Sequence, residues 1–215
     1  MSKLRFSIAI SLDGYVAGRE QSEENPLGIG GDKLHEWVTP LKVFKEMHGR
    51  GFEGGEVNAS DDVVRERVAG VGASIMGRRM FGPVAGPWGE DPWRGWWGDE
   101  PPFHHEVFVV THHARPPLEK QGGTTFTFVT DGIESALAAA RAAADGADIV
   151  LSGGANVAQQ YLAGGLVDEV QLHVVPVLLG AGERLFDNLG ESVPDFEQAG
   201  AVEAPGVTHV KYRRR

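Results

Sequence analysis

From Leu4 to Ile10 the chain alternates between apolar and polar residues and then becomes continuously apolar, the pattern of a strand near the centre of a sheet. Ser11-Leu12-Asp13-Gly14 closes it as a turn, and the Gly/Pro-rich residues 19–32 read as a loop. Leu34, Trp37, Val38, Leu41 and Phe44 then recur at helical spacing between Asp32 and His48, with Pro40 breaking or kinking the helix. A short helix is predicted over Asp61 to Ala69, capped by Ser60 or Asp61. Residues 73–76 read as a buried strand whose following helix starts at Gly77, and Val107 to Thr111 and Thr125 to Val129 as two more strands. Asp131 and Glu134 match a capping box for an Ala-rich helix running to about Asp145. Ile149 to Leu151 is a further strand, and Asn156 to Leu162 a helix closed by Gly164-Gly165. Val170, Leu172 and Val174 alternate up to Pro176, which ends that strand or places it at an edge, and Thr208 to Tyr212 reads as a final edge strand. This alternation predicts one α/β domain over residues 1–215 with a largely parallel sheet, and it shows neither internal repeat nor linker.

Two of the strand-to-helix turns suit a phosphorylated dinucleotide. In one, Ala73-Ser74-Ile75-Met76 runs into Gly77-Arg78-Arg79-Met80-Phe81; in the other, Asp148-Ile149-Val150-Leu151 runs into Ser152-Gly153-Gly154-Ala155-Asn156-Val157. Such turns aim unpaired backbone N–H groups and a helix dipole at one point. Gly153-Gly154 is either a tight turn or a place where a ligand lies on the backbone. Arg78 and Arg79 add the charge to hold a further phosphate, such as the 2′-phosphate of NADPH. Gly70-Val71-Gly72 precedes a strand and lacks a third glycine in place, so it is no Rossmann fingerprint.

A hydrophobic share of 41% and a charged share of 23% are ordinary for a globular protein, and a net charge of −10 argues against a nucleic-acid or acidic-membrane surface. The absence of cysteine removes disulfides, thiolate zinc sites and a cysteine nucleophile. No leader or membrane-length apolar run is visible, which makes the cytoplasm the expected compartment. His104-His105 and His112-His113 are adjacent pairs that point to opposite faces of a strand, so no metal site is expected. Asp13 falls where ligands bind in open α/β sheets but also suits a plain turn; Asp32, Glu36 and Glu46 are further carboxylates for the same cleft, and Asp13 and Glu36 are taken as the catalytic pair. Four of the five tryptophans lie in residues 82–105, either as a lid over a flat substrate or as anchors of a surface loop.

With these residues in place, the chain resembles the dihydrofolate reductase superfamily, in particular the reductase domain of the bifunctional riboflavin-biosynthesis deaminase-reductase and its stand-alone relatives. The stretches that carry the resemblance are Ser11 to Gly18, Met76 to Phe81, Val109-Val110-Thr111, Ser152-Gly153-Gly154, and Gly165 to Glu169 with Pro176 to Gly180 behind it. It implies a three-layer αβα fold, a mostly parallel central sheet with an antiparallel C-terminal strand, and NADPH as hydride donor. It also implies that Gly77, Arg78 and Arg79 meet the cofactor phosphates, Thr111 and His112 flank the 2′-phosphate, and Gly153-Gly154, joined by a cis peptide, lie under the pyrophosphate and nicotinamide. Ala155, Asn156 and Val157 continue that cradle, Ala9 and Ile10 pack near the nicotinamide, and Asp13 lines the substrate cleft. Departures from the folate enzymes are Ser152 in place of a third glycine and the unfamiliar context of Asp32 and Glu36.

The reading that follows is reduction of a small nitrogen heterocycle or its ribosyl derivative by NADPH, with a ribosylaminopyrimidine first and dihydrofolate or another pterin second. A nucleotide-binding protein that has lost the chemistry is the reading from another class. A homodimer is expected from the resemblance and from the apolar stretch Val170 to Leu179.

Overall fold

The computed structural model describes residues 2–48, 54–83, 86–90, 92–191 and 194–215. Its frame is a sheet of order β10-β11-β8-β1-β7-β3-β4-β6-β5. Here β1 is Leu4–Ser11, β3 Val71–Gly77, β4 Glu106–Val110, β5 Leu118–Glu119, β6 Thr125–Val129, β7 Asp148–Leu151, β8 Glu169–Val175, β10 Phe196–Ala204 and β11 Val207–Arg214. A small two-stranded sheet pairs β2 (Tyr15–Gly18) with β9 (Gly182–Arg184). The run β8-β1-β7-β3-β4-β6 is parallel throughout, and β11, β10 and β5 are antiparallel to their neighbours. The α/β fold with a mostly parallel sheet and antiparallel C-terminal strands is the expected one.

β1 is central because both of its faces are apolar enough to be covered. Phe6 and Ile10 pack with Leu151 and Ile75 under the helices α4 (Gly132–Ala144) and α5 (Ala155–Ala163). On the opposite face Ala9 packs with Leu34, Trp37, Val38 and Leu41, and with Val43 of α1 (Lys42–His48) and Val64 of α2 (Ala59–Val68). Further along that face Met76, Val107, Val109 and Phe126 meet Phe81 of α3 (Arg78–Phe81) and Trp88, Trp93 and Trp97. Trp88, Trp93 and Trp97 thus anchor an aromatic layer on the sheet.

The helical stretch predicted over 32–48 is broken around Pro40, as expected, into a 3-10 turn at Gly31–His35 and α1. Other local expectations change. The cap of α2 is Asn58, whose side chain accepts from the Ser60 N–H; Asp61 is instead buried, accepting from the Val43 N–H at 2.8 Å and pairing with Arg65 at 2.7 Å. Asp131 precedes α4 without any side-chain cap bond, so the capping box does not form. The last strand is not an edge: β11 lies between β8 and β10. β10 escapes sequence reading because most of its residues are exposed, leaving no apolar period. With β11 on its outer side and β1 on its inner side, β8 is covered within the chain, and the apolar motive for a dimer shifts to Leu12 and Leu178, which remain exposed.

Candidate cofactor and substrate site

Strand order decides which residues meet. The carboxyl ends of β1, β7, β3 and β4 stand side by side, a row about 14 Å long at normal strand spacing. Along it lie Ala9-Ile10, then Gly153-Gly154, then Gly77-Arg78-Arg79, then Thr111-His112. The two glycine turns are tied together: the Ser152 N–H donates to the Ile75 carbonyl at 2.8 Å and the Gly77 N–H to the Gly153 carbonyl at 2.7 Å. The Gly153–Gly154 peptide is cis, as the resemblance implied.

The two turns use glycine for different reasons. At Gly77 the backbone is extended, and a Cβ would sit 3.3 Å from Val157, so glycine lets β3 and α5 approach each other. At Gly154 φ is −75°, open to any residue, and an added Cβ would meet nothing within 4 Å. Neither its dihedral angle nor its neighbours demand glycine there, so the backbone at Gly154 lies open. Just beyond, α5 begins with no side-chain cap, and Asn156 turns its Oδ1 to Gln160 Nε2 (2.8 Å), so the first N–H groups of this helix face outward without a side-chain acceptor.

Of the two arginines, Arg78 lies with its Cζ 3.7 Å from the Trp88 ring centre, and its Nε and Nη1 are buried without a hydrogen-bond partner. Burial, with a smaller contribution from Arg115, pushes its guanidinium below the usual range. Arg79 is exposed and reaches Glu183 of β9 at 3.3 Å, so the two side chains do not act as one charge pair. Thr111 is buried and its Oγ1 accepts from the His113 N–H at 3.2 Å, whereas His112 is exposed.

Asp13 is an anchor. Its carboxylate accepts from Ser11 Oγ at 2.5 Å and from the Leu179 and Gly180 N–H groups at 3.2 and 2.7 Å, which pulls its pKa down to about 2, the Ser11 bond contributing most. It therefore fixes the turn after β1 to the segment after β8 and is ionised at neutral pH. Glu36 is exposed at the end of the 3-10 turn, next to the buried Trp37. Asp32 is exposed too, and Glu46 is engaged by Arg65 at 2.7 Å. Among the described residues no cluster of three or more His, Asp or Glu side chains is arranged for a metal.

Sequence reading missed a buried polar chain behind this row. Ser7 Oγ lies 2.8 Å from His173 Nε2, His173 Nδ1 2.7 Å from His209 Nδ1, and His209 Nε2 2.9 Å from Ser60 Oγ. The pairing of β8 with β11 sets the two imidazoles opposite each other, which no local pattern reveals.

The residues fit a nicotinamide dinucleotide: an open backbone at Gly154, uncapped N–H groups at α5, and buried guanidinium nitrogens on Arg78 with no partner of their own. No curated protein matches the chain. Among solved structures, a protein assigned to riboflavin biosynthesis from Shewanella sp. PV-4 aligns over 100% of this chain and 99% of its own, with a TM-score of 0.62 at 23% identity. The diaminohydroxyphosphoribosylaminopyrimidine deaminase/5-amino-6-(5-phosphoribosylamino)uracil reductase of Thermotoga maritima gives 0.61 at 15% identity; the whole chain aligns, spanning 57% of that protein. Dihydrofolate reductase from Enterococcus faecalis, solved with NADP(H), gives 0.51 at 13% identity over 99% of this chain and 96% of its own. The sequence model of the RibD C-terminal domain matches residues 2–210, and the chain belongs to that family.

Proposed function

We propose that the protein is an NADPH-dependent reductase of a small nitrogen heterocycle or its ribosyl derivative, a ribosylaminopyrimidine phosphate being the first candidate. The observation that carries this reading is Gly154, a glycine required by neither its dihedral angles nor its neighbours, at the centre of a row of strand ends with uncapped helix N–H groups beside it. Membership of a riboflavin-pathway reductase family supports the same chemistry.

In this reading Gly154 and the first turn of α5 hold the pyrophosphate, and Ala9 and Ile10, both nearly fully buried, form a dry wall beside the reacting ring. The cofactor supplies a hydride, two electrons and a proton nucleus, to a C=N or aldose carbonyl carbon. The balancing proton goes to the substrate nitrogen or oxygen. Asp13 is ionised and already accepts three hydrogen bonds, so it shapes the cleft, and the proton comes from water there or from Glu36. No described helix is long and apolar enough to cross a membrane.

The test is NADPH oxidation by the purified protein with ribosylaminopyrimidine phosphate, and in parallel with dihydrofolate. Turnover with the first supports the proposal. Turnover with dihydrofolate alone moves the protein to pterin reduction, and NADPH binding without turnover on either assigns it to nucleotide binding.

A further inference from the structure

Trp88 carries two guanidinium groups. Arg78 Cζ lies 3.7 Å and Arg115 Cζ 4.6 Å from its ring centre, and Arg115 also lies 4.7 Å from the ring of Phe128. The platform is fixed: Trp88 Nε1 donates to the His113 carbonyl at 2.7 Å, and its ring meets those of Phe128 and Phe81 edge-on. Arg115 is held as well, one nitrogen donating to the Trp93 carbonyl at 2.7 Å. Among the described residues neither guanidinium has an acid partner, and the exposed Arg94 adds a third positive charge near Arg115.

That arrangement runs against the composition. The chain has 30 acidic and 20 basic Lys or Arg residues, yet here positive charges gather, partly buried, and among the described residues no carboxylate is ion-paired with Arg78 or Arg115. Each pushes the other's ionised form upward in energy, and burial removes the water that would offset it. The aromatic faces return only part of that cost. Buried Nε and Nη1 atoms of Arg78 are left with donors unused. A dianion with several acceptor oxygens resolves all three features together, and two planar guanidinium forks match a phosphate monoester.

Position names the phosphate. The cluster stands past the ends of β3 and β4, at the opposite end of the row from Ala9 and Ile10, with Gly154 between them. Resting on the dinucleotide reading above, we infer that Arg115 is a specificity residue for the cofactor: with Arg78, on the shared Trp88 platform, it clamps the 2′-phosphate that distinguishes NADPH from NADH. Arg79, turned to Glu183, stands outside the clamp.

The test is calorimetric binding of NADPH and of NADH, measured separately, to the wild-type protein and to Arg115→Ala, Arg115→Lys and Arg79→Ala, each with its melting temperature. The wild type is expected to prefer NADPH. Arg115→Ala should weaken NADPH at least about tenfold while changing NADH less than about twofold, and Arg115→Lys should recover part of the loss. Arg79→Ala should leave the ratio of the two affinities unchanged. Equal weakening of both cofactors by Arg115→Ala, with a lowered melting temperature, means that Arg115 only braces the Trp93 segment and overturns the clamp. A wild type that binds the two cofactors equally overturns the clamp alone, whereas one that binds neither overturns the dinucleotide reading with it. If Arg115→Ala leaves cofactor binding intact and raises KM for ribosylaminopyrimidine phosphate, the phosphate held is the substrate's and the assignment to the cofactor fails.

Discussion

His173 and His209 face each other with their Nδ1 atoms 2.7 Å apart, so a single proton lies between two imidazoles. Both rings are almost wholly buried and both are covered by Trp37, at centroid distances of 4.8 and 5.0 Å. With Ser7 at one end and Ser60 at the other, the chain of hydrogen bonds breaks between the rings once both are protonated, because two Nδ1–H donors then face each other. Burial holds both imidazoles well below the usual histidine range, and the other ring, Arg67 and His35 add to the effect on His173.

This relationship fixes the sign of an acid effect. In the unfolded chain the two imidazoles take up protons below about pH 6.5, while in the folded protein they do not. Stability from this source is complete above that pH and is lost as the pH falls toward the depressed folded values. The expected loss is about 1.4 kcal/mol per pH unit for each ring. Urea unfolding between pH 7 and pH 5 checks it, and a His173→Gln/His209→Gln variant should show a flatter pH dependence than the wild type.

Gly154→Val is expected to abolish NADPH binding and to leave the fold nearly unchanged, since the added side chain points into open space at an allowed φ of −75°. Calorimetry and circular dichroism together check this. Normal cofactor affinity in a folded variant would show that the glycine serves the turn alone.

Gly77→Val should behave in the opposite way. Its Cβ would already sit 3.3 Å from Val157, itself buried, so β3 and α5 must move apart. A loss of about 1–3 kcal/mol is expected from such overpacking, read as a lowered urea midpoint with or without cofactor present.

Asp13→Ala should free the segment after β8 from the turn after β1, because it removes the acceptor for the Leu179 and Gly180 N–H groups. Faster proteolysis near residues 177–181 is the expected readout. Since the carboxylate titrates at about 2, its ionised contribution is present above the unfolded aspartate value near 3.8 and is lost as pH falls through the folded one. The activity profile between pH 5 and 9 should therefore carry no limb that Asp13→Asn removes.

For the assembly, the expectation remains a homodimer, with Leu12 and Leu178 at 61% and 72% exposure as the apolar surface available to it. Light scattering should give twice the 23.1 kDa of one chain; the single mass would refute it.

Strands with consecutive buried residues, such as β1, β3 and β4, were legible because their apolar runs stand out along the chain. β10, though it forms a hairpin with β11, was invisible because most of its residues are exposed, and β2 and β9 because they are short and pair over a long sequence separation. The same division holds at the site. Gly77, Gly153 and Gly154 were legible because a turn is a local event. The partnership of Arg78 with Trp88 and Arg115 was not, since it joins residues from separate stretches that meet only when Trp88 packs on the sheet.

Arg79 and Glu183 link α3 to β9, and so to the small sheet whose β2 follows directly on the Asp13 turn. The pair is exposed, 71% on one side and 41% on the other, and such contacts are worth at most about 1 kcal/mol. A tie of that strength marks where α3 and β9 meet without locking them together. Both charges stand in solvent, so rising ionic strength weakens this contact before it reaches the buried hydrogen bonds of the sheet.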